Sequence, residues 1–324
     1  MDKIAVIGLG SISDRHRQNI KHLFPQAEVA VLSSSARSLD TLPSHANRIV
    51  DTITELIEFK PDFVIDASPS TFHAKYSKEI IEAGIPCLTE KPLTASVYDS
   101  DILIGLDNYS RTRSGVGYCL RLLPATNTIK KILENNELGE IYNVQISTGQ
   151  HLSQWRNKSY LNSVSANKAL GGGVLLELSH ELDLVQYLLG EMTLKYSNLN
   201  SSRQLGLEVE DIADLMLLPK DQGRNFSVYI HLDFLQVRPQ RNMVIIAEKG
   251  RLEWDVISNT VKLMEDDSDR ILYSDDSYDK NSMYLEMVSE FAAGVKLKES
   301  RLCTFEQARS VVEIIEQAKL YGEQ

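Results

Sequence analysis

Residues 3–16 read KIAVIGLGSISDRH. An apolar run of strand length, 3–9, meets a turn in which Gly8, Gly10 and Ser13 form the pattern G-x-G-x-x-S. A polar segment at helical spacing follows, and a second apolar run begins at 27. Strand, glycine turn, helix and strand within about 30 residues are the opening of a βαβ unit that binds a dinucleotide. Gly8 permits the tight turn, Gly10 lets a pyrophosphate approach the backbone, and Ser13 is the small residue that close helix–sheet packing needs. The pyrophosphate would sit on the N–H groups at the helix start, at Ser11 and Ile12, where the dipole favours anions.

The same rhythm runs on. Strand-like stretches at 62–68, 85–91 and 113–119 alternate with helical ones, which predicts a doubly wound parallel sheet with helices on both faces. Beyond about residue 120 the pattern changes. A helix over 123–139, ending at Gly139, precedes stretches of period two at 140–150, 213–218, 225–235, 241–248, 250–256 and 260–265, which predict a large, open, mainly antiparallel sheet. Between them, residues 174–190 read as a single amphipathic helix, and the last forty residues read as two helices. The reading is an α/β chain of two domains: 1–120, a Rossmann dinucleotide-binding domain, and 121–324, a substrate and oligomerisation domain whose final helices pack back on the first.

Composition sets the outer bounds. The 324 residues carry a net charge of −11, against a general nucleic-acid binder, which needs a basic face. No apolar run approaches the roughly 20 residues that cross a bilayer. The N-terminus enters a strand directly rather than a signal peptide, so a cytoplasmic protein is expected. The 3 cysteines, Cys87, Cys119 and Cys303, show neither metal spacing nor a disulfide framework, and no metal is expected.

The strand after the first helix ends in Ser33 and Ser34, with Arg37 close behind, where an NAD site usually carries an acid for the ribose 2′-hydroxyl. Hydroxyls and an arginine suit a 2′-phosphate, so NADP(H) is favoured and NAD(H) remains open. Ser68, Pro69 and His73 follow the third main strand, and Glu90-Lys91-Pro92 follow the next. Ligands bind outside the carboxyl ends of parallel strands, which places Lys91 at the cofactor crevice. Residues 171–184, GGGVLLELSHELDL, hold His180, whose ordinary pKa near neutrality suits proton transfer to and from an alcohol. Glu177 and Asp183 stand three residues to either side. Zinc is not indicated, because Leu184 occupies the place of a second histidine.

In their order and spacing, Gly8-Leu9-Gly10-Ser11, Ala67-Ser68-Pro69 with His73, Glu90-Lys91-Pro92, residues 116–125 and residues 171–184 resemble the glucose–fructose oxidoreductase/inositol dehydrogenase (Gfo/Idh/MocA) family over nearly the whole chain. The resemblance implies that Lys91 and an acid–histidine pair flank a sugar or polyol over the nicotinamide, with Glu177 and His180 as the pair and Asp183 touching substrate. Glu177 precedes the histidine by three residues where the family usually has four, which alters the pair's geometry. The resemblance also implies a homo-oligomer built through the open sheet. Glu90 joins Lys91 on the cofactor side. His73 stands beside the cofactor or caps the helix after it. Tyr118, Arg121, Trp155, Arg156 and Tyr160 are substrate-side candidates. The expected function is hydride transfer between NAD(P) and a hydroxyl or keto carbon of a sugar, amino sugar or nucleotide-sugar. A hydrolase or lyase that borrows the cofactor, and a non-catalytic cofactor sensor, stay open.

Overall fold

A computed structural model describes residues 1–35, 39–155, 160–295 and 301–321. By backbone contacts the chain divides into two units, Met1–Cys119 with Lys280–Val312, and Leu120–Asp279 with Glu313–Gln324.

The first unit runs β1 (Lys3–Ile7), α1 (Ser11–Leu23), β2 (Glu28–Leu32), β3 (Arg48–Val50), α2 (Ile53–Glu58), β4 (Phe63–Asp66), α3 (Ser70–Glu82), β5 (Cys87–Thr89), α4 (Val97–Ile104), α5 (Tyr109–Thr112) and β6 (Gly115–Val116). The strands form one parallel sheet in the order β3-β2-β1-β4-β5-β6. The order reverses direction at β1, and such a switch point opens a crevice at the carboxyl ends of the strands. Ile4–Ile7, Val29–Val31 and Phe63–Ile65 are buried, as expected of strands covered on both faces.

The second unit contains α6 (Pro124–Glu134), β7 (Ile141–Gly149), α7 (Val174–Glu177), α8 (His180–Leu189), and then β8 (Met192–Asn200), β9 (Ile212–Pro219), β10 (Ser227–Asp233), β11 (Gln240–Ala247), β12 (Gly250–Asp255), β13 (Thr260–Glu265) and β14 (Ser268–Ser274). They make an eight-stranded sheet in the order β14-β13-β12-β11-β7-β10-β9-β8. Only the β7–β10 pair is parallel; β7 lies inside the sheet, with β11 antiparallel on its other side. Buried and open positions alternate along β9 and β10, with Val228, Ile230 and Leu232 buried and Tyr229 and His231 on the opposite face. Two helices end the chain, α9 (Ser282–Val295) in the first unit and α10 (Phe305–Tyr321), whose residues are shared between both. No helix among the described residues is long and apolar enough to cross a membrane. All three cysteines are buried and outside any disulfide.

Two features differ from the sequence reading: strands β3, β8 and β14 were not expected, and one expected helix is broken. The helix expected over 174–190 is interrupted: α7 stops at Glu177, Leu178 has φ −100° and ψ 29°, and α8 starts again at His180. The apolar spacing is helical on both sides of the break, so periodicity does not reveal it.

Candidate functional site

The first unit gathers its expected residues at the carboxyl edge of the parallel sheet. The chain leaves β1 at Gly8 with φ +107°, and a Cβ there would stand 2.5 Å from the carbonyl oxygen of Ala67 beyond β4. Only glycine fits this approach. The backbone N–H of Gly8 donates to the Leu32 carbonyl at the end of β2. Ser13 uses its hydroxyl, donating to the Gly8 carbonyl at 2.6 Å, so a serine serves at the third position of the motif. A Cβ on Gly10 would meet nothing within 4 Å. This open space lies beside the first N–H groups of α1, at Ser11 and Ile12, which have no partner within a helix. A pyrophosphate fits such a cradle.

At the end of β2, Ser33 is buried with its hydroxyl 3.2 Å from that of Ser35, and Ser34 is half-buried. Arg37 lies outside the described residues. At the end of β4, the Ser68 N–H and hydroxyl both donate to Asp66 Oδ1, at 3.1 and 2.7 Å. Burial pushes the Asp66 carboxyl up, opposed by His73 and by hydrogen bonds from Ser68 and Ser77. Pro69 precedes α3.

Two residues read as cofactor contacts also have partners within the protein. His73 is buried; its Nε2 lies 2.8 Å from the Ser68 carbonyl, and its Nδ1 lies 3.0 and 3.1 Å from those of Pro92 and Leu93. It ties the exit of β4 to the turn after β5, and neither ring nitrogen is left for a cofactor or a helix cap. Glu90 directs one carboxylate oxygen at His16 and the other at the Lys91 backbone N–H. Lys91 follows directly, half-buried, and the Lys91–Pro92 peptide bond is cis.

The second unit holds the other group. His180 is the first residue of α8 and half-buried. Because the helix breaks at Leu178, helical spacing does not place Glu177 and His180 on one face. Asp183, read as a substrate contact, is instead closed in a buried pair: Arg121 Nε donates to its Oδ2 at 2.9 Å and Nη2 to its Oδ1 at 2.6 Å. The Arg121 guanidinium also stacks on Tyr187, 4.7 Å from the ring centre. Arg121 therefore braces α8 through Asp183 and Tyr187. Beside it, Glu181 accepts from Thr148 at 3.0 Å and from Arg241 at 2.7 Å. Two ion pairs thus anchor the first turn of α8 around His180.

The remaining substrate-side candidates are dispersed. Tyr118 lies next to the end of the first segment of the first unit and is fully buried. Trp155 packs edge-on against Phe234, and Tyr160 donates to the Leu205 carbonyl. Arg156 lies outside the described residues. The glycine run packs the chain rather than a ligand: at Gly172 a Cβ would stand 2.6 Å from the Val164 carbonyl, and at Gly173, 2.3 Å from the Glu210 carboxylate.

A cluster in the second unit escaped the sequence reading. His231 Nδ1 lies 2.7 Å from Asp214 and its Nε2 3.1 Å from Asp233, beside an open pocket of about 610 Å³ that Gln236 and Arg238 also line. Hydrogen bonds that His231 donates to Asp233, and then to Asp214, raise it to about 9 against partial burial. The spacing His231-Leu232-Asp233 on a strand was the available signal, since residues two apart share a face.

Residues 3–118 match the oxidoreductase family with an NAD-binding Rossmann fold, and residues 126–253 match the GFO/IDH/MocA C-terminal domain. An inositol 2-dehydrogenase from Corynebacterium glutamicum is 27% identical over 244 residues, 72% of this chain and 68% of that protein. A glucose-6-phosphate 3-dehydrogenase from Bacillus subtilis is 25% identical over 190 residues, 58% of this chain and 54% of that protein. A solved levoglucosan dehydrogenase, in complex with NADH and L-sorbose, superposes with a TM-score of 0.83 at 17% identity, covering 99% of this chain and 96% of that one, and shares the fold.

Removing one partner of a buried ion pair strands the other charge, so Asp183→Leu should cost about 3–5 kcal/mol in denaturant unfolding, and adding Arg121→Met should restore most of it. An unchanged unfolding midpoint for the single variant contradicts the pairing. For His231 the raised pKa sets the sign. Its stabilising effect is full below the ordinary value of 6.5, shrinks as pH rises and is gone above about 9. Thermal unfolding of His231→Gln should therefore fall below wild type at pH 6 and converge with it above pH 9; a gap that does not depend on pH contradicts the ion cluster.

Proposed function

Because this chain belongs to the Gfo/Idh/MocA oxidoreductase family, we propose that it transfers a hydride between a nicotinamide cofactor and a hydroxyl or keto carbon of a sugar, amino sugar or nucleotide-sugar. One observation carries the reading: the parallel strands β1, β4 and β5 deliver the Gly8–Gly10 turn, Ser68-Pro69 and Lys91 to the same edge of one sheet. The names of an inositol 2-dehydrogenase, a glucose-6-phosphate 3-dehydrogenase and a levoglucosan dehydrogenase among the similar proteins support the substrate class.

When bound, the nicotinamide supplies the hydride chemistry. The protein's own part is to bind, orient and move protons. The N–H groups of Ser11 and Ile12 would hold the pyrophosphate of the bound cofactor. The Lys91 ammonium, on a turn braced by Glu90 and His73, orients the reacting hydroxyl and stabilises its oxygen as the proton leaves. His180 takes that proton on oxidation and returns it on reduction. Two ion pairs, each with a buried carboxylate on the same helical turn, fix the start of the helix that bears it. The sheet end at Ser33 and Ser34 carries no acid, which favours NADP(H) over the NADH seen with the levoglucosan dehydrogenase. We place the enzyme in the cytoplasm, working as a homo-oligomer through the outer sheet face, where Tyr229 and Ile246 are exposed.

Fluorescence titration should show NADPH binding more tightly than NADH; equal or tighter NADH binding rejects the preference. Lys91→Ala should lose at least about a hundredfold in kcat, the scale of positioned proton-transfer catalysis, while cofactor binding and unfolding stay as in wild type. Turnover near wild type in that variant rejects the assignment of Lys91.

A further inference from the structure

Helix α1 and the turn that bears Lys91 are joined by a buried bridge. His16, on α1, is fully buried, and its Nε2 lies 2.7 Å from Glu90 Oε1. Glu90 Oε2 accepts the Lys91 backbone N–H at 3.2 Å. The carboxylate therefore connects a helix side chain to the backbone of Lys91, across 74 residues of sequence. Its surroundings are tight. A Cβ on Gly117 would stand 3.4 Å from the Glu90 carboxyl carbon. Tyr284, from α9, lies edge-on to the His16 ring at 6.4 Å and carries the Arg15 guanidinium on its own face at 4.6 Å. Burial pushes the Glu90 carboxyl up, but the His16 bond and charge and the neighbouring Lys91 outweigh it, and the group titrates below its ordinary range.

We propose that His16 is a positioning residue for Lys91: through Glu90 it fixes the Lys91 backbone to the helix that opens on the glycine turn. The inference rests on the role of Lys91 in the proposed function. Its physical basis is the cost of a buried carboxylate that loses its charged or polar donor. Without His16, Glu90 either takes up a proton or turns out of its place, and in both cases the Lys91 N–H loses an ionised acceptor. The nucleotide's helix and the substrate-side lysine are thus set in one frame before either ligand binds.

Amide hydrogen exchange at Lys91, in the full chain without ligand, tests this. His16→Leu should speed exchange at Lys91 by about tenfold or more, the scale of a lost hydrogen bond to a charged group, while the central amides of β1 stay protected. His16→Gln, which keeps an N–H donor near the position of Nε2, should stay within about threefold of wild type. Glu90→Asp, too short to span the bridge, should match His16→Leu, and the double variant should be no faster than either single one, because both cut the same link. Wild-type exchange at Lys91 in both His16→Leu and Glu90→Asp, or additive effects in the double variant, overturns the proposal. If His16→Leu also exposes β1, Glu90→Asp decides alone. Exchange that follows this pattern while Lys91→Ala keeps full turnover leaves the bridge standing and rejects the dehydrogenase role of Lys91; the converse result does the opposite.

Discussion

The carboxyl edge of the first sheet is organised by a contact of backbone on backbone. At Gly8 the chain passes so close to the Ala67 carbonyl that a single added carbon would stand 2.5 Å from it. That approach lets the Gly8 N–H reach Leu32, the Ala67 N–H reach Ile7 and the Ser13 hydroxyl return to the Gly8 carbonyl. The ends of three strands and the start of α1 are thereby held together. A helix start fixed in this way offers preset donors to an anion, with little ordering left to do on binding. Every other residue of the edge, from Ser68 to Lys91, is placed relative to this frame.

Charge, rather than apolar packing, sets the finer positions. Glu90 is held by His16, Asp183 by Arg121 and Glu181 by Arg241, and all three carboxylates are buried. Burying a carboxylate with its partner contributes little net stability, but it tolerates few alternative arrangements, because a misplaced carboxylate is left without a partner. Here each pair stands beside a residue proposed for chemistry: Glu90 beside Lys91, and Glu181 and Asp183 beside His180. Precision at those two residues follows from the cost of misplacing their neighbours.

Much of the fold was legible in the sequence because its signals are local. The glycine turn sits between strand and helix within a few residues, and the change from alternating strand and helix to period two marks the second sheet. Strands β3, β8 and β14 gave no signal, and each lies at the edge of its sheet. An edge strand buries few residues and loses the alternation that reveals inner strands; β14 has no buried residue at all. The break in the helix before His180 was hidden because apolar residues recur at helical spacing on both sides of it. Partnerships were the least legible. Lys91 and Arg121 could be picked out as polar residues at informative places, but that Glu90 pairs with His16 and Asp183 with Arg121 depends on long-range folding. A sequence shows which charges are present near a site and leaves open which of them are already matched.

The most direct test of the account is a crystal structure of the binary complex with NADPH or NADH. It should place the pyrophosphate on the N–H groups of Ser11 and Ile12, in the open space beside Gly10, with the nicotinamide reaching the turn that carries Lys91. A dinucleotide bound elsewhere, or no bound dinucleotide at millimolar concentration, would contradict the claim that the Gly8 turn builds a cofactor site.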